Sequence, residues 1–444
     1  MKEWFAPYAW LGGPDFSRDV LVATDGGAIA SVDCGMNPGP ATVRLNGILL
    51  PGLANVHSHA FHRVIRGRTH ESSGDFWQWR TAMYAVSQLL EPDSYRHLAT
   101  EVFGEMLRAG ITSVGEFHYL HHQRDGRPYG EPHAMERALM GAADDAGIRM
   151  TLLDTCYLAS DVHGAPPVGA QKRFADASAD DWSMRVLELE SVIKSPTIRL
   201  GVAAHSVRAT PRAALEAVAE TATTLDCPVH VHVSEQRAEN DACLAEHGMT
   251  PTQLLSASGL LTGATTAIHG THLTNDDLQI LAKAGTGVCF CPTTERELGD
   301  GIGPARELRD LGVPLSLGTD SNAVVDLLEE ARSLELNDRL RLERRAIHSP
   351  VALLHSSTTT GLAALGWGTH EPLGVGSPAD FLCVAAGTDS ETFEASDGLG
   401  AFLFSGPSSV TDVVVGGRYV VKDGLNQNGQ SRAGLATAIR GFLR

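Results

Sequence analysis

Between residues 51 and 370 the pattern switches repeatedly from short apolar runs to longer amphipathic stretches, the mark of strand–helix units that build a parallel sheet. Eight apolar runs end near His59, Phe117, Cys156, Ala204, Val233, His269, Cys291 and Thr319, and most precede a helix-like stretch such as Pro92 to Arg108 or Pro211 to Thr224. Eight units over about 320 residues predict an α/β fold, a TIM-like (β/α)8 barrel with insertions. A doubly wound open sheet is the alternative, but no glycine-rich dinucleotide turn follows the first strand. The flanks read differently. Residues 1–50 alternate as short strands around Asp25-Gly26-Gly27, and Ala379 to Val384 and Val410 to Val421, with its Gly416-Gly417 turn, repeat the habit at the far end. Residues 1–50 and 371–444 are therefore expected to form one composite β-sandwich domain beside a barrel spanning 51–370.

Composition narrows the partners. With 43% apolar and 20% charged residues the chain can bury a sizeable core. A formal charge of −18 and no basic run argue against a nucleic-acid partner, because a phosphate backbone would be repelled over most of the surface. The seven cysteines (Cys34, Cys156, Cys227, Cys243, Cys289, Cys291, Cys383) are odd in number and lack zinc-ribbon spacing, so they read as reduced thiols of a cytoplasmic protein. No apolar leader follows Met1 and no run of 18 uncharged apolar residues occurs, so neither a signal peptide nor a membrane span is expected.

Chemistry concentrates where the apolar runs stop. In His57-Ser58-His59 the two imidazoles fall on one face of a strand and can converge on one ion. Isolated His-x-His pairs are common in a chain with 19 histidines, so the pair gains meaning only from company. Val229-His230-Val231-His232-Val233 offers two candidates. The later one, His232, lies at the C-terminal strand end where barrel enzymes work, and His230 one layer deeper reads as a hydrogen-bonded core residue. Glu235, just past that strand, can reach a water at such a site, and it also fits a helix-start acid. Asp320 ends the eighth run, where an aspartate is commonly a helix cap; in a closed barrel, however, strands eight and one are neighbours. His269 ends the sixth. Three histidines and an aspartate from strands one, five and eight, with His269 beside them, form a set that zinc or iron(II) accepts, with a position left for water.

These motifs resemble the amidohydrolase superfamily in its mononuclear deaminase branch: His57-Ser58-His59, His232-Val233-Ser234-Glu235, Ile268-His269-Gly270 and Gly318-Thr319-Asp320-Ser321. No strand-end lysine suited to a carbamylated two-metal bridge is evident, which points to one divalent metal ion, zinc before iron(II). The resemblance covers nearly the whole chain, including Gly376-Ser-Pro-Ala-Asp380 at the re-entry into the terminal domain. Within the superfamily, His57 to Phe61, Phe76-Trp-Gln-Trp-Arg80, Gly115-Glu-Phe-His-Tyr119-Leu-His-His, His205-Ser-Val-Arg208 and Cys291-Pro-Thr-Thr-Glu295 with Leu298-Gly-Asp-Gly301 are similar to deiminases acting on a formimidoyl derivative of glutamate in histidine breakdown. His62 departs from that pattern, standing where a number of relatives are expected to carry glutamine.

The resemblance implies a metal held by His57, His59, His232 and Asp320, a proton carrier in Glu235, His269 orienting the nucleophile, and Asp320 sharing the proton handling. A small dicarboxylate substrate requires cationic or hydroxyl partners, for which Arg80, Tyr119, His205 and Arg208 are the candidates, with His62 beside them and Trp77 and Trp79 as pocket walls. A homodimer is expected by analogy of fold. Two other functions compete: a deaminase of a purine, pterin or other heterocyclic amine, which would want stacking and amide readout in place of two arginines, and a barrel scaffold without catalysis.

Overall fold

The computed structural model describes residues 1–69, 76–385, 398–404 and 409–443, without the side chains of Phe76 and Trp77, so the wall expected of Trp77 lies outside the described residues. Eight parallel strands follow one another in spatial order: β1 (Leu53–Ser58), β2 (Ile111–His118), β3 (Arg149–Cys156), β4 (Ile198–Ala204), β5 (Val229–Val233), β6 (Thr265–His269), β7 (Gly287–Phe290) and β8 (Leu315–Leu317). β2 and β3 are buried along their whole length, as strands covered by helices on one side and the barrel interior on the other must be. The last strand is only three residues long, shorter than the apolar run that announced it.

The β1–β8 seam closes just past that strand. Thr319 N and Asp320 N donate to the His57 carbonyl at 3.1 and 2.9 Å, and His59 N donates to the Asp320 carbonyl at 3.0 Å. Asn55, deep in β1, donates to Thr319 Oγ1 at 2.7 Å and accepts from Thr319 N at 2.9 Å, while Asn322 Nδ2 donates to the His59 carbonyl at 3.1 Å. Gly318 permits this approach, since a Cβ there would stand 2.8 Å from the His57 Cβ. The chain is a TIM-like (β/α)8 barrel, and the seam brings the ends of β1 and β8 together.

Both termini build the second, β-sandwich domain. The strand Gly47–Pro51 lies between Lys2–Ala9 and Phe381–Ala385, joining N- and C-terminal strands in one nine-stranded sheet. Trp4, Val22, Leu49, Phe381 and Val414 form its core. Gly26 and Gly27 (φ 56° and 87°) and Gly416 and Gly417 (φ 56° and 75°) make the two hairpin turns in left-handed backbone that a side chain would strain. Arg149 at the foot of β3 reaches across to Asp380 with two hydrogen bonds of 2.7 and 3.2 Å and ties the domains. Among the described residues no helix is long and apolar enough to cross a membrane.

Outside β2 and β3 a buried polar network braces the barrel wall. Arg185 lies 3.2 Å from Glu136, 2.8 Å from Asp154 and 2.9 Å from Asp176. Burial works to raise the Glu136 carboxyl, but hydrogen bonds from His118 and His121, with the charges of His118 and Arg185, outweigh it and hold it well below the ordinary value. Asp176 is likewise lowered against burial, by His122 and Arg185. Arg185→Met is expected to cost about 3–5 kcal/mol at neutral pH, because three carboxylates lose their cation. Acids held low stabilise the fold above the usual carboxylate range and lose that contribution as pH falls, so the parent–variant gap in urea unfolding should narrow on acidification. A gap constant from pH 7 to pH 4 would show that the carboxylates do not depend on Arg185.

Candidate metal centre and active site

Four ligand candidates meet at the C-terminal rim. The Nε2 atoms of His57 and His232 are 3.0 Å apart, and Asp320 Oδ1 lies 3.3 and 3.4 Å from the Nε2 atoms of His57 and His59. All four side chains are buried. Second partners fix two of the rings: His59 Nδ1 donates to the Phe117 carbonyl at 2.9 Å and His232 Nδ1 to the His205 carbonyl at 2.8 Å. A neutral imidazole that donates through Nδ1 carries a lone pair on Nε2, so His59 turns its lone pair toward Asp320 and His232 turns its own toward His57 Nε2. Lone pairs and a carboxylate packed together without water are costly unless a cation lies among them, and nitrogen and oxygen donors of this kind suit a borderline divalent metal. Burial, with the mutual repulsion of the rings, pushes His59 and His232 well below the usual imidazole value, while burial acting on Asp320 is overcome by His57, His59 and His269, which hold it low. His230 stays out of the group and meets the Ala364 carbonyl through Nε2 at 3.1 Å.

The backbone is bent to make this arrangement. Ser234, just past β5, His269, the last residue of β6, and Asp320, in the turn beyond β8, adopt left-handed φ of 53°, 70° and 43°. Non-glycine residues held there cost about 1–3 kcal/mol each, and such strain gathers where side chains must be aimed.

Beside the ligands lies an acid–imidazole pair. Glu235 Oε1 is 3.9 Å from His269 Nε2, and Glu235 Oε2 is 3.8 Å from Arg208 Nη2. Burial raises the Glu235 carboxyl against the pull of His269 and Arg208, so it can hold a proton at higher pH than a solvated glutamate. His269 moves the other way: burial lowers it, but Glu235, Glu295 and Asp320 prevail and keep it well above the usual value. Its Nδ1 donates to Glu295 Oε1 at 3.3 Å, and the same oxygen accepts from Cys291 N at 2.8 Å. Sequence reasoning quoted Glu295 only inside a family motif; its contact with His269 joins residues 26 apart, for which the chain offers no periodic signal. Asp300, hydrogen-bonded to Gln236 and pushed up to about 9 by burial and by Glu235, was likewise quoted only inside a family motif, without a role.

The pocket over this centre holds ≈ 50 Å³ and is lined by every sequence-derived site residue except His57, which lies beneath it. His62, Arg80, Tyr119, His205 and Arg208 all face it. His62 Nε2 and the Tyr119 hydroxyl are 2.9 Å apart, and Arg80 Nε donates to the Tyr84 hydroxyl at 2.7 Å. Arg208 Nε lies 3.2 Å from Glu239 Oε2, a buried acid that the sequence reading missed and that also accepts from Ser234 N at 3.1 Å. Trp79 forms part of the wall, joined by Tyr84, Tyr157 and Phe174, which went unpredicted. Arg80, Tyr157, His205 and Arg208 also line a second cavity of ≈ 270 Å³, so the two spaces adjoin with two guanidinium groups between them.

Comparison with known proteins agrees with this geometry. Residues 48–420 match the amidohydrolase family. The chain is 35% identical over 422 residues to formimidoylglutamate deiminase of Pseudomonas aeruginosa, covering 90% of each, and 28% identical over 416 residues to 8-oxoguanine deaminase of the same species, covering 91% of this chain and 90% of that one. A crystal structure of an amidohydrolase from Brucella melitensis superposes along the full length of both chains with a TM-score of 0.92 at 31% identity.

Proposed function

The chain belongs to the amidohydrolase family, a deaminase-type hydrolase of C–N bonds, and on that basis we propose that it converts N-formimidoyl-L-glutamate and water to N-formyl-L-glutamate and ammonia. The observation that carries this reading is the pair of guanidinium groups, Arg80 and Arg208, at the junction of the two cavities. The formimidoyl group would enter the inner space over the metal ligands while the two carboxylates stay by the arginines, where charge-assisted hydrogen bonds offset their desolvation. The similarity to the Pseudomonas aeruginosa deiminase over 90% of the chain supports the same substrate.

His57, His59, His232 and Asp320 would hold one divalent cation, zinc or iron(II). When bound, that ion supplies Lewis acidity and a water acidified to a pKa of about 7. Glu235 takes one proton from the water as its oxygen adds to the formimidoyl carbon and passes it to the imino nitrogen, which becomes an amine. The hydroxyl now on that carbon then gives up its proton through Glu235 to the same nitrogen, so the C–N bond breaks, the oxygen stays as the formyl carbonyl and ammonia leaves. His269, oriented through Nδ1 by Glu295, presents Nε2 to the oxygen of the tetrahedral carbon, and Asp320 shares the proton traffic with Glu235. The His62–Tyr119 pair stands on the substrate side, where the imidazole replaces the hydrogen-bonding role of a carboxamide.

A second reading, deamination of a heterocyclic amine, is favoured by the aromatic wall of Trp79, Tyr84, Tyr119, Tyr157 and Phe174. No carboxamide side chain among the described residues lines the inner pocket to read a ring edge, which weighs for the dicarboxylate. Ammonia release from N-formimidoyl-L-glutamate and from 8-oxoguanine, compared as kcat/KM, separates the two. The dicarboxylate is expected to lead by at least about a hundredfold, the worth of two carboxylate–guanidinium contacts. Preference for the purine would overturn the assignment.

A further inference from the structure

On the outside of the barrel, away from the pocket, a groove of ≈ 660 Å³ is lined by five arginines, Arg63, Arg68, Arg108, Arg432 and Arg440, with Glu105 the one acid among its described lining residues. The concentration is unusual on a chain whose formal charge is −18. It comes from separate segments: the turn after β1 gives Arg63 and Arg68, the helix Pro92–Arg108 gives Arg108, and the helix Arg432–Gly441 gives the last two.

The single acid is already taken. Glu105 accepts from Arg63 Nε at 2.7 Å and Nη2 at 3.1 Å, and from Arg66 Nη1 at 3.4 Å. Arg108 donates to the neutral Asn426 side chain at 2.6 Å, Arg68 to the backbone carbonyls of Val64 and Arg66, and Arg440 Nε to the Ala436 carbonyl. Among the described residues no carboxylate lies within ion-pair distance of Arg68, Arg108, Arg432 or Arg440. Burial and the nearby Arg432 charge pull Arg108 below the usual guanidinium value, although Glu105 and Glu101 oppose them. Buried Leu435 and Ile439 supply an apolar floor.

We propose that this groove binds a small polyanion carrying clustered phosphate groups, at a site separate from the barrel pocket. Five arginines around one carboxylate, Glu105, which Arg63 and Arg66 already engage, leave an excess of guanidinium charge that suits an anion of three or four charges, and arginine in place of lysine suits the oxygen pairs of phosphate. A long phosphate backbone does not fit, because the acidic surface beyond the groove would repel it.

Calorimetric titration of the full-length protein with inorganic pyrophosphate, and with ATP in the absence of magnesium, tests the assignment. Saturable binding is expected for both, weakening steeply with added salt. Pyrophosphate binding as tight as that of ATP would identify the phosphate groups as all that is read, and tighter ATP would add the nucleoside to the apolar floor. Arg432→Glu/Arg440→Glu should lose at least about tenfold in affinity, and Arg432→Gln/Arg440→Gln, which removes charge without adding any, a smaller but measurable part. Arg208→Met, in the barrel pocket, should bind as the parent does. The proposal is overturned if the parent shows no saturable binding, if neither double variant weakens it, or if the loss follows Arg208→Met instead.

Discussion

Glu235→Gln is expected to lower kcat for ammonia release by about 10²–10⁴-fold, with KM little changed, the span general acid–base groups ordinarily contribute. Glutamine keeps the shape of the side chain beside His269 and Arg208 but can neither accept the water's proton nor hand it to the leaving nitrogen. The carboxyl of the parent is raised by burial against the pull of the two cations, which moves it toward the range in which one group can act first as base and then as acid. Near-parental turnover in this variant would move the proton transfer to Asp320 or His269.

Arg208→Met is expected to act mainly through KM, lowering kcat/KM by about 10–150-fold, the worth of charged hydrogen bonds of about 1.5–3 kcal/mol. The substitution has a second consequence. Arg208 is the cation shared by Glu235 and Glu239, and both are already raised by burial. Without it the Glu235 carboxyl rises further, so the acid limb of the kcat/KM profile should move to higher pH. Arg208→Lys separates the effects: a retained charge should keep the limb in place, while the loss of the planar fork still weakens substrate capture. A pH profile unchanged in Arg208→Met would show that Arg208 does not govern Glu235.

Much of this site could be read from the chain because strand geometry is periodic. Alternation puts His57 and His59 on one face, and the layer rule separates His232 at the rim from His230, which the structure hands to the Ala364 carbonyl. The link from Asp320 to the histidine pair needs only barrel closure, which neighbours β8 to β1. What stayed hidden has no period. The left-handed turns at Ser234, His269 and Asp320 occur at residues with no glycine to announce them. Glu295 meets His269, Glu239 meets Arg208 and Arg63 shares a groove with Arg432 only because helices and loops of unrelated length fold back across the rim and flank. The shape of the pocket belongs to the same class: Trp79 could be named, whereas Tyr84, Tyr157 and Phe174 needed the path of the loops.

Everything rests on strand ends from β1, β5 and β8 gripping one cation. Protein stripped with a chelator and titrated with zinc, while ammonia release from N-formimidoyl-L-glutamate is followed, tests that claim most directly. Activity should be negligible at the start, rise linearly and level off at one equivalent per chain, and Asp320→Asn should need a large excess of metal to show any rise. Full activity in the stripped protein, or a plateau only at two equivalents, would contradict the single-metal site.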